Sequence, residues 1–210
     1  MNVIVDAWQS IPPLTRLMLV FQIGLSCAVW LELVSPFKLY FNWSLIAGKH
    51  QYWRLLTSLF YKGDLSPHLI FDFLMFIRYS SMLENHHFRN KPAEYIVFVA
   101  FGSVCFWLAA YFLGMQFMAY CVTTMMVYLQ ARIMPDIPMS ILNLFHFRSC
   151  WLPFVYFLVI VLWGSDPTYD LVGNVVAHTY FYLVEILPQI PELQDFRILS
   201  PPKWLVDLCS

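Results

Sequence analysis

The chain has 210 residues, 60% of them hydrophobic and 12% charged, with a net charge of −1 and a mean hydropathy of +0.63. A soluble domain carries roughly twice that charged fraction, and its surface would have to expose many of the 19 Phe, 12 Tyr and 8 Trp. Apolar runs near the length of a bilayer crossing recur along the chain, so it reads as a polytopic helical membrane protein whose charge balance offers nothing to nucleic acid.

Residues 1–13 read as a short cytosolic segment; MNVIVDAWQSIPPLTR lacks the basic start, apolar core and small-residue cleavage site of a removable signal, so the first span is expected to be an uncleaved anchor. Six spans follow, at roughly 14–33, 65–83, 94–113, 115–132, 150–163 and 169–187, giving one membrane domain over 14–187 and a short cytosolic tail over 188–210. The links near Leu113–Gly114 and Gly164–Pro167 are short, which pairs spans three and four, and five and six, as hairpins. An even number of spans puts both termini on one side. With the termini in the cytosol, that side carries Arg16, Arg78, Arg89, Lys91, Arg132, Arg148, Arg197 and Lys203, against Lys38, Lys49, Arg54 and Lys62 opposite; eight against four favours this orientation.

The first loop, 34–64, keeps returning to Phe, Tyr, Trp, Leu and Ile between its charges, as a segment lying in the membrane interface does. Its sequon Asn42-Trp43-Ser44 stands close to span one and is expected to stay unmodified. The run from Trp151 to Trp163 is about 20 Å of helix at 1.5 Å per residue, short for a hydrocarbon core of about 30 Å, so it is expected to thin the bilayer. Cys27, Cys105, Cys121, Cys150 and Cys209 show no metal-ligand spacing and read as packing residues, with Cys150 and Cys209 open to lipidation. No metal or cofactor is expected.

Polar groups inside spans are costly unless they face protein or water. Span two holds His68, Asp72 and Arg78 and ends in Glu84; span four offers Gln116, Cys121, Thr123, Thr124 and Gln130; span six holds Asn174, His178, Thr179 and Glu185. His68, Asp72, Gln116, Asn174 and His178 are expected to line a polar cavity open to the cytosol, the bland alternative for each being a hydrogen bond between helices. In GNVVAHTYF, Gly173 and Ala177 form a small-xxx-small pattern beside His178, which brings a neighbouring helix close. That arrangement suits an intramembrane Ser/His dyad as in rhomboid proteases, whose serine lies in a Gly-x-Ser-Gly turn opening span four. Here span four opens LGMQFMAYCVTT, with no such serine, and Cys121 and Thr123 lack a glycine-flanked turn to build an oxyanion hole. His178 is thus expected to be structural, bonding near Gln116 or Asp72, and the protein non-enzymatic.

Several stretches together resemble the derlin family, the inactive relatives of rhomboid proteases. Ile11-Pro12-Pro13-Leu14-Thr15-Arg16 is similar to the family's opening, Trp53-Arg54 to its first-loop motif, and Met82-Leu83-Glu84 to the close of its second span; Gly173, Ala177 and His178 complete the pattern. Ala177 stands where the family usually has a second glycine. The resemblance implies an all-α, six-helix rhomboid-like fold with an interfacial first loop in the endoplasmic-reticulum membrane. It implies a role in the degradation of misfolded proteins, beside a membrane ubiquitin ligase and its adaptors, alone or in a homo- or hetero-oligomer. A cytosolic AAA+ unfoldase is expected to be engaged indirectly, since the family's recruiting tail motif does not occur. Trp53 is expected at headgroup depth with Arg54 bonding loop carbonyls or lipid phosphates, and Glu84 is expected to stabilise its loop. The competing readings are an active intramembrane protease and a small-solute transporter, the latter without the inverted repeat that many transporters show.

Overall fold

Prolines in the first turn start four of the described α-helices, where the missing N–H costs nothing and the fixed φ suits a helix. The computed structural model describes residues 8–63, 66–141, 145–164, 166–191 and 199–209. Helix α1 (Pro13–Trp30) is followed by two short first-loop helices, α2 (Trp43–Lys49) and α3 (Trp53–Phe60). Then come α4 (Pro67–Met82), running on through a π turn (Leu83–His87), and α5 (Pro92–Leu113), ended by left-handed Gly114 at φ 69°. α6 (Ala119–Ile133), α7 (Leu152–Leu162) and α8 (Thr168–Phe181) complete the bundle, α8 continuing through a second π turn (Tyr182–Ile186); α9 (Lys203–Cys209) lies in the tail.

The protein is an all-α membrane protein, with helices at each of the six expected positions. Among the described residues, three helical segments are long and apolar enough to cross a membrane by length and composition: Pro13–Trp30, Pro92–Leu113 and Thr168–Gln189. The other three are shorter, at 16, 15 and 11 residues for α4, α6 and α7. For α6 the reason is its place. Ala119 and every residue from Cys121 to Ala131 are buried, so it is surrounded by protein, and a helix apolar on all sides belongs in such a centre. The outer helices expose Leu17, Val20, Leu108, Phe112, Leu158 and Val175, an apolar surface that lipid would cover.

Between α6 and α7, a stretch assigned to no span, the chain forms an antiparallel hairpin of β1 (Pro138–Ile141) and β2 (Phe145–Arg148), Pro138 pairing with Arg148. The hairpin is anchored by Met139, which is buried and whose sulfur accepts from Arg78 Nη2 at 3.6 Å.

Candidate functional site

The most highly charged buried cluster among the described residues lies at the first-loop end of the bundle. Lys62 follows α3 and turns its ammonium inward onto Asp72 of α4, both side chains fully buried. Lys62 Nζ also donates to Thr123 Oγ1 of α6 (2.9 Å), that hydroxyl donates to Asp72 Oδ2 (3.3 Å), and Tyr156 OH of α7 donates to Asp72 Oδ1 (2.7 Å). One carboxylate therefore ties together the first loop and three spans. Burial pulls the Lys62 ammonium below its ordinary pKa, and Asp72 opposes that pull. Tyr120 OH donates to the Lys62 carbonyl (2.9 Å), which fixes the backbone that delivers the lysine.

Beside this cluster a cavity of about 440 Å³ opens towards the first loop, its walls including Tyr61, Phe117, Tyr120, Ile160, Asp166 and Asp170. Asp170, in the first turn of α8, accepts from Thr124 Oγ1 of α6 at 2.6 Å. Asp166, at the exposed rim, accepts from the Thr168 N–H (2.9 Å), and its hydrogen bonding to Thr168 holds its carboxyl below the ordinary range.

Helices α6 and α8 run parallel and press together along a seam. A Cβ built on Gly173 would lie 2.8 Å from the Cys121 carbonyl oxygen and 2.9 Å from Thr124 Cβ, so only glycine permits this approach. Ala177 is fully buried one turn on. His178 sits on the outer face, where Nδ1 and Tyr128 OH share a hydrogen bond at 2.7 Å; Tyr128 OH in turn accepts from Arg132 Nε at 3.0 Å.

The first-loop motif divides its labour because neighbouring helical residues point about 100° apart. Trp53 is exposed, with Nε1 3.4 Å from the Lys38 carbonyl, while Arg54 is buried. Arg54 donates to the carbonyls of Phe37 (3.1 Å) and Tyr40 (3.0 Å) and to Gln51 Oε1 (2.7 Å), and its guanidinium lies over the Tyr40 ring. Glu84 caps α1 from a distance. Its carboxylate accepts from the N–H groups of Leu14 (3.0 Å) and Thr15 (2.8 Å) and from the Thr15 hydroxyl (2.8 Å), satisfying donors that a proline-led helix leaves open.

The five residues expected to share one polar cavity do not come together. Asp72 is buried in the ion-pair cluster at the first-loop face, not in a cavity on the side of the termini. Gln116 is exposed in the turn between α5 and α6, where its carbonyl accepts from the Phe41 N–H (2.9 Å) and pins the first loop. His178 pairs with Tyr128 rather than with Gln116 or Asp72, because it faces outward past the seam. Asn174 is half-buried, with Oδ1 unpartnered among the described residues, and His68 opens α4 with its side chain outside the described residues. Lys62, Tyr156 and Asp170 escaped the sequence reading; an aspartate in the first turn of an apolar span was the available signal for Asp170.

A central buried helix, a parallel partner packed on it through glycine, and a first loop riveted by a buried arginine define a polytopic membrane protein with a polar centre and an interfacial loop. The Der1-like family model matches residues 11–202, and the chain belongs to that family. It is 31% identical to a probable derlin-2 homolog of Dictyostelium discoideum, with 97% of this chain and 82% of that protein aligned. It is 30% identical to derlin-2.2 of Arabidopsis thaliana (96% and 86%) and 27% identical to derlin-1.1 of Zea mays (95% and 82%). Membership supports a Der1-like role, related to endoplasmic-reticulum-associated degradation, and indicates no catalytic activity.

Proposed function

We propose that this protein resides in the endoplasmic-reticulum membrane with both termini in the cytosol, binds misfolded lumenal or membrane proteins, and assists their passage to the cytosol without cleaving them. It works beside a membrane ubiquitin ligase and its adaptors, with a cytosolic AAA+ unfoldase engaged through them. The observation that carries this reading is the length of α7. Its 11 residues span about 16 Å, or about 22 Å with the 3-10 turn Ser149–Trp151 before it. Exposed Trp151 and Trp163 stand at its two ends, the positions that tryptophan favours at the two interfaces. Against a hydrocarbon core of about 30 Å, such a helix draws the two interfaces together and shortens the apolar path a polar client must cross. Inserting one helical turn of leucines after Phe157 is expected to abolish client export while membrane insertion and abundance persist. Unchanged export from the lengthened protein would remove thinning as the mechanism.

A further inference from the structure

The cavity at the first-loop face has the chemistry of a receptor for an organic cation. Tyr61, Phe117, Tyr120 and Tyr169 give it aromatic walls, the Tyr61 and Phe117 rings meeting edge-on at 5.0 Å, and cations bind the faces of such rings. Two carboxylates join them. Asp170 is 1% exposed, and among the described residues only Thr124 donates to it, on Oδ1, which leaves Oδ2 for an incoming donor. Asp166 stands at the rim with Thr168 on one oxygen. Lys62 also contributes to the wall, but its ammonium points away, onto Asp72 and Thr123, and its charge is matched there. Among the described residues, the charge left facing the cavity is negative.

We propose that this cavity receives the guanidinium or ammonium group of an Arg or Lys side chain from an unfolded client segment, a reading that rests on the client-binding function above. An N–H donor, which a quaternary ammonium headgroup lacks, is what the open oxygen of Asp170 requires. The volume lies towards the low end of ligand cavities, about 300–1,000 Å³, and fits one long side chain with water. Pro36 and Gly63 are also in its wall, and a Cβ on Gly63 would meet nothing within 4 Å among the described residues, which leaves room there for an extended backbone while one side chain descends. Basic residues are among the most costly to carry through hydrocarbon. A pocket that holds them at the entrance gives the client a polar stopping point beside the thinned bilayer.

The test uses the full-length protein in dodecyl maltoside and a fluorophore-labelled Gly/Ser-rich peptide carrying one Arg, beside the same peptide carrying citrulline, which keeps N–H donors and loses the charge. By fluorescence anisotropy the Arg peptide is expected to bind about tenfold tighter than the citrulline peptide. Asp170→Asn, which retains an acceptor for Thr124, and Asp166→Asn, at the exposed rim, are each expected to remove most of that preference. Should Asp170→Asn fail to fold, Asp166→Asn alone carries the test. Equal binding of both peptides, or a preference indifferent to the substitutions, overturns the cation pocket while leaving client binding intact. Binding of neither peptide defeats client binding itself, and the pocket with it. Displacement of the Arg peptide by phosphocholine at lower concentration than by free arginine overturns the proposal in favour of a lipid headgroup.

Discussion

The buried pair of Lys62 and Asp72 should reveal itself by a double substitution that does less harm than either single one. Among the described residues, Asp72→Leu leaves a buried ammonium with the Thr123 hydroxyl and the faces of the Phe73 and Phe76 rings beside it, and Lys62→Met leaves a buried carboxylate served by Tyr156 and Thr123. Stranding one charge of a buried pair costs about 3–5 kcal/mol. The hydroxyl contacts are the smaller contribution, at about 1 kcal/mol each and often about 0.6 kcal/mol between membrane helices. Independent sites would make the loss in the double variant the sum of the two single losses. A true pair predicts that Lys62→Met with Asp72→Leu loses only about 1–2 kcal/mol, since no charge remains buried and only the hydroxyls of Tyr156 and Thr123 lose a partner. The assay is thermal unfolding of the purified variants in detergent, followed by fluorescence-detected size exclusion after heating, with steady-state abundance in native membranes as a second readout. Additive loss in the double variant would refute the argument, because it would mean that water already solvates the two charges separately.

At the α6–α8 seam, Gly173→Ala is expected to destabilise the bundle by about 1–3 kcal/mol, as overpacking does, because the added carbon meets the Cys121 backbone, which has no flexible end to move; Ala177→Gly should cost less, and equal damage would contradict the close approach. Arg54→Lys retains the charge but cannot serve Phe37, Tyr40 and Gln51 together, so a loss of about 2–3 kcal/mol in thermal unfolding and impaired export are expected, and wild-type behaviour would reduce the residue to its charge. Asn42 is expected to remain unglycosylated, because its side chain caps α2 by accepting from the Leu45 N–H (3.2 Å) and donating to Tyr40 OH (3.3 Å); a glycosidase-sensitive mobility shift lost in Asn42→Gln would show otherwise.

The helices were legible because their punctuation is local. Pro13, Pro67, Pro92 and Pro153 fall in first turns, and Gly114 and Gly164 take positive φ just beyond helix ends, so span limits follow from neighbouring residues. Arg54 was singled out by the resemblance of Trp53-Arg54 to the family's first-loop motif, with loop carbonyls and lipid phosphates both open as its partners. Lys62 was not. Its sequence neighbourhood is that of a loop cation, and it counts as one in the charge balance, yet its partner is ten residues on, within α4. His178 shows the converse. Its place beside Gly173 and Ala177 points to a close approach of helices, but which side of the α6–α8 seam the imidazole takes depends on the rotation of α8 against α6. Rotation is set by many contacts at once, and no spacing in one helix encodes it.

That rotation also decides what chemistry the seam can host. Gly173 lies against Cys121, and His178 is five residues further along α8, about 7.5 Å at 1.5 Å per residue. Its partner Tyr128 is seven residues beyond Cys121, about 10 Å along α6. A nucleophile and its general base must approach to about 2.6–3.2 Å. Cys121 is buried under the Gly173 contact at one level of the seam, and the imidazole is engaged outside it at another. Thr123, the remaining hydroxyl of interest near the opening of α6, is held between Lys62 and Asp72 and has no free face to present to a substrate. The close packing that Gly173 allows therefore works against hydrolysis: it removes the space in which a nucleophile, a base and a water would meet. The same packing leaves the polar groups of α6 to serve as rivets, Thr123 to the first loop and α4, Thr124 to Asp170, and Tyr128 to His178.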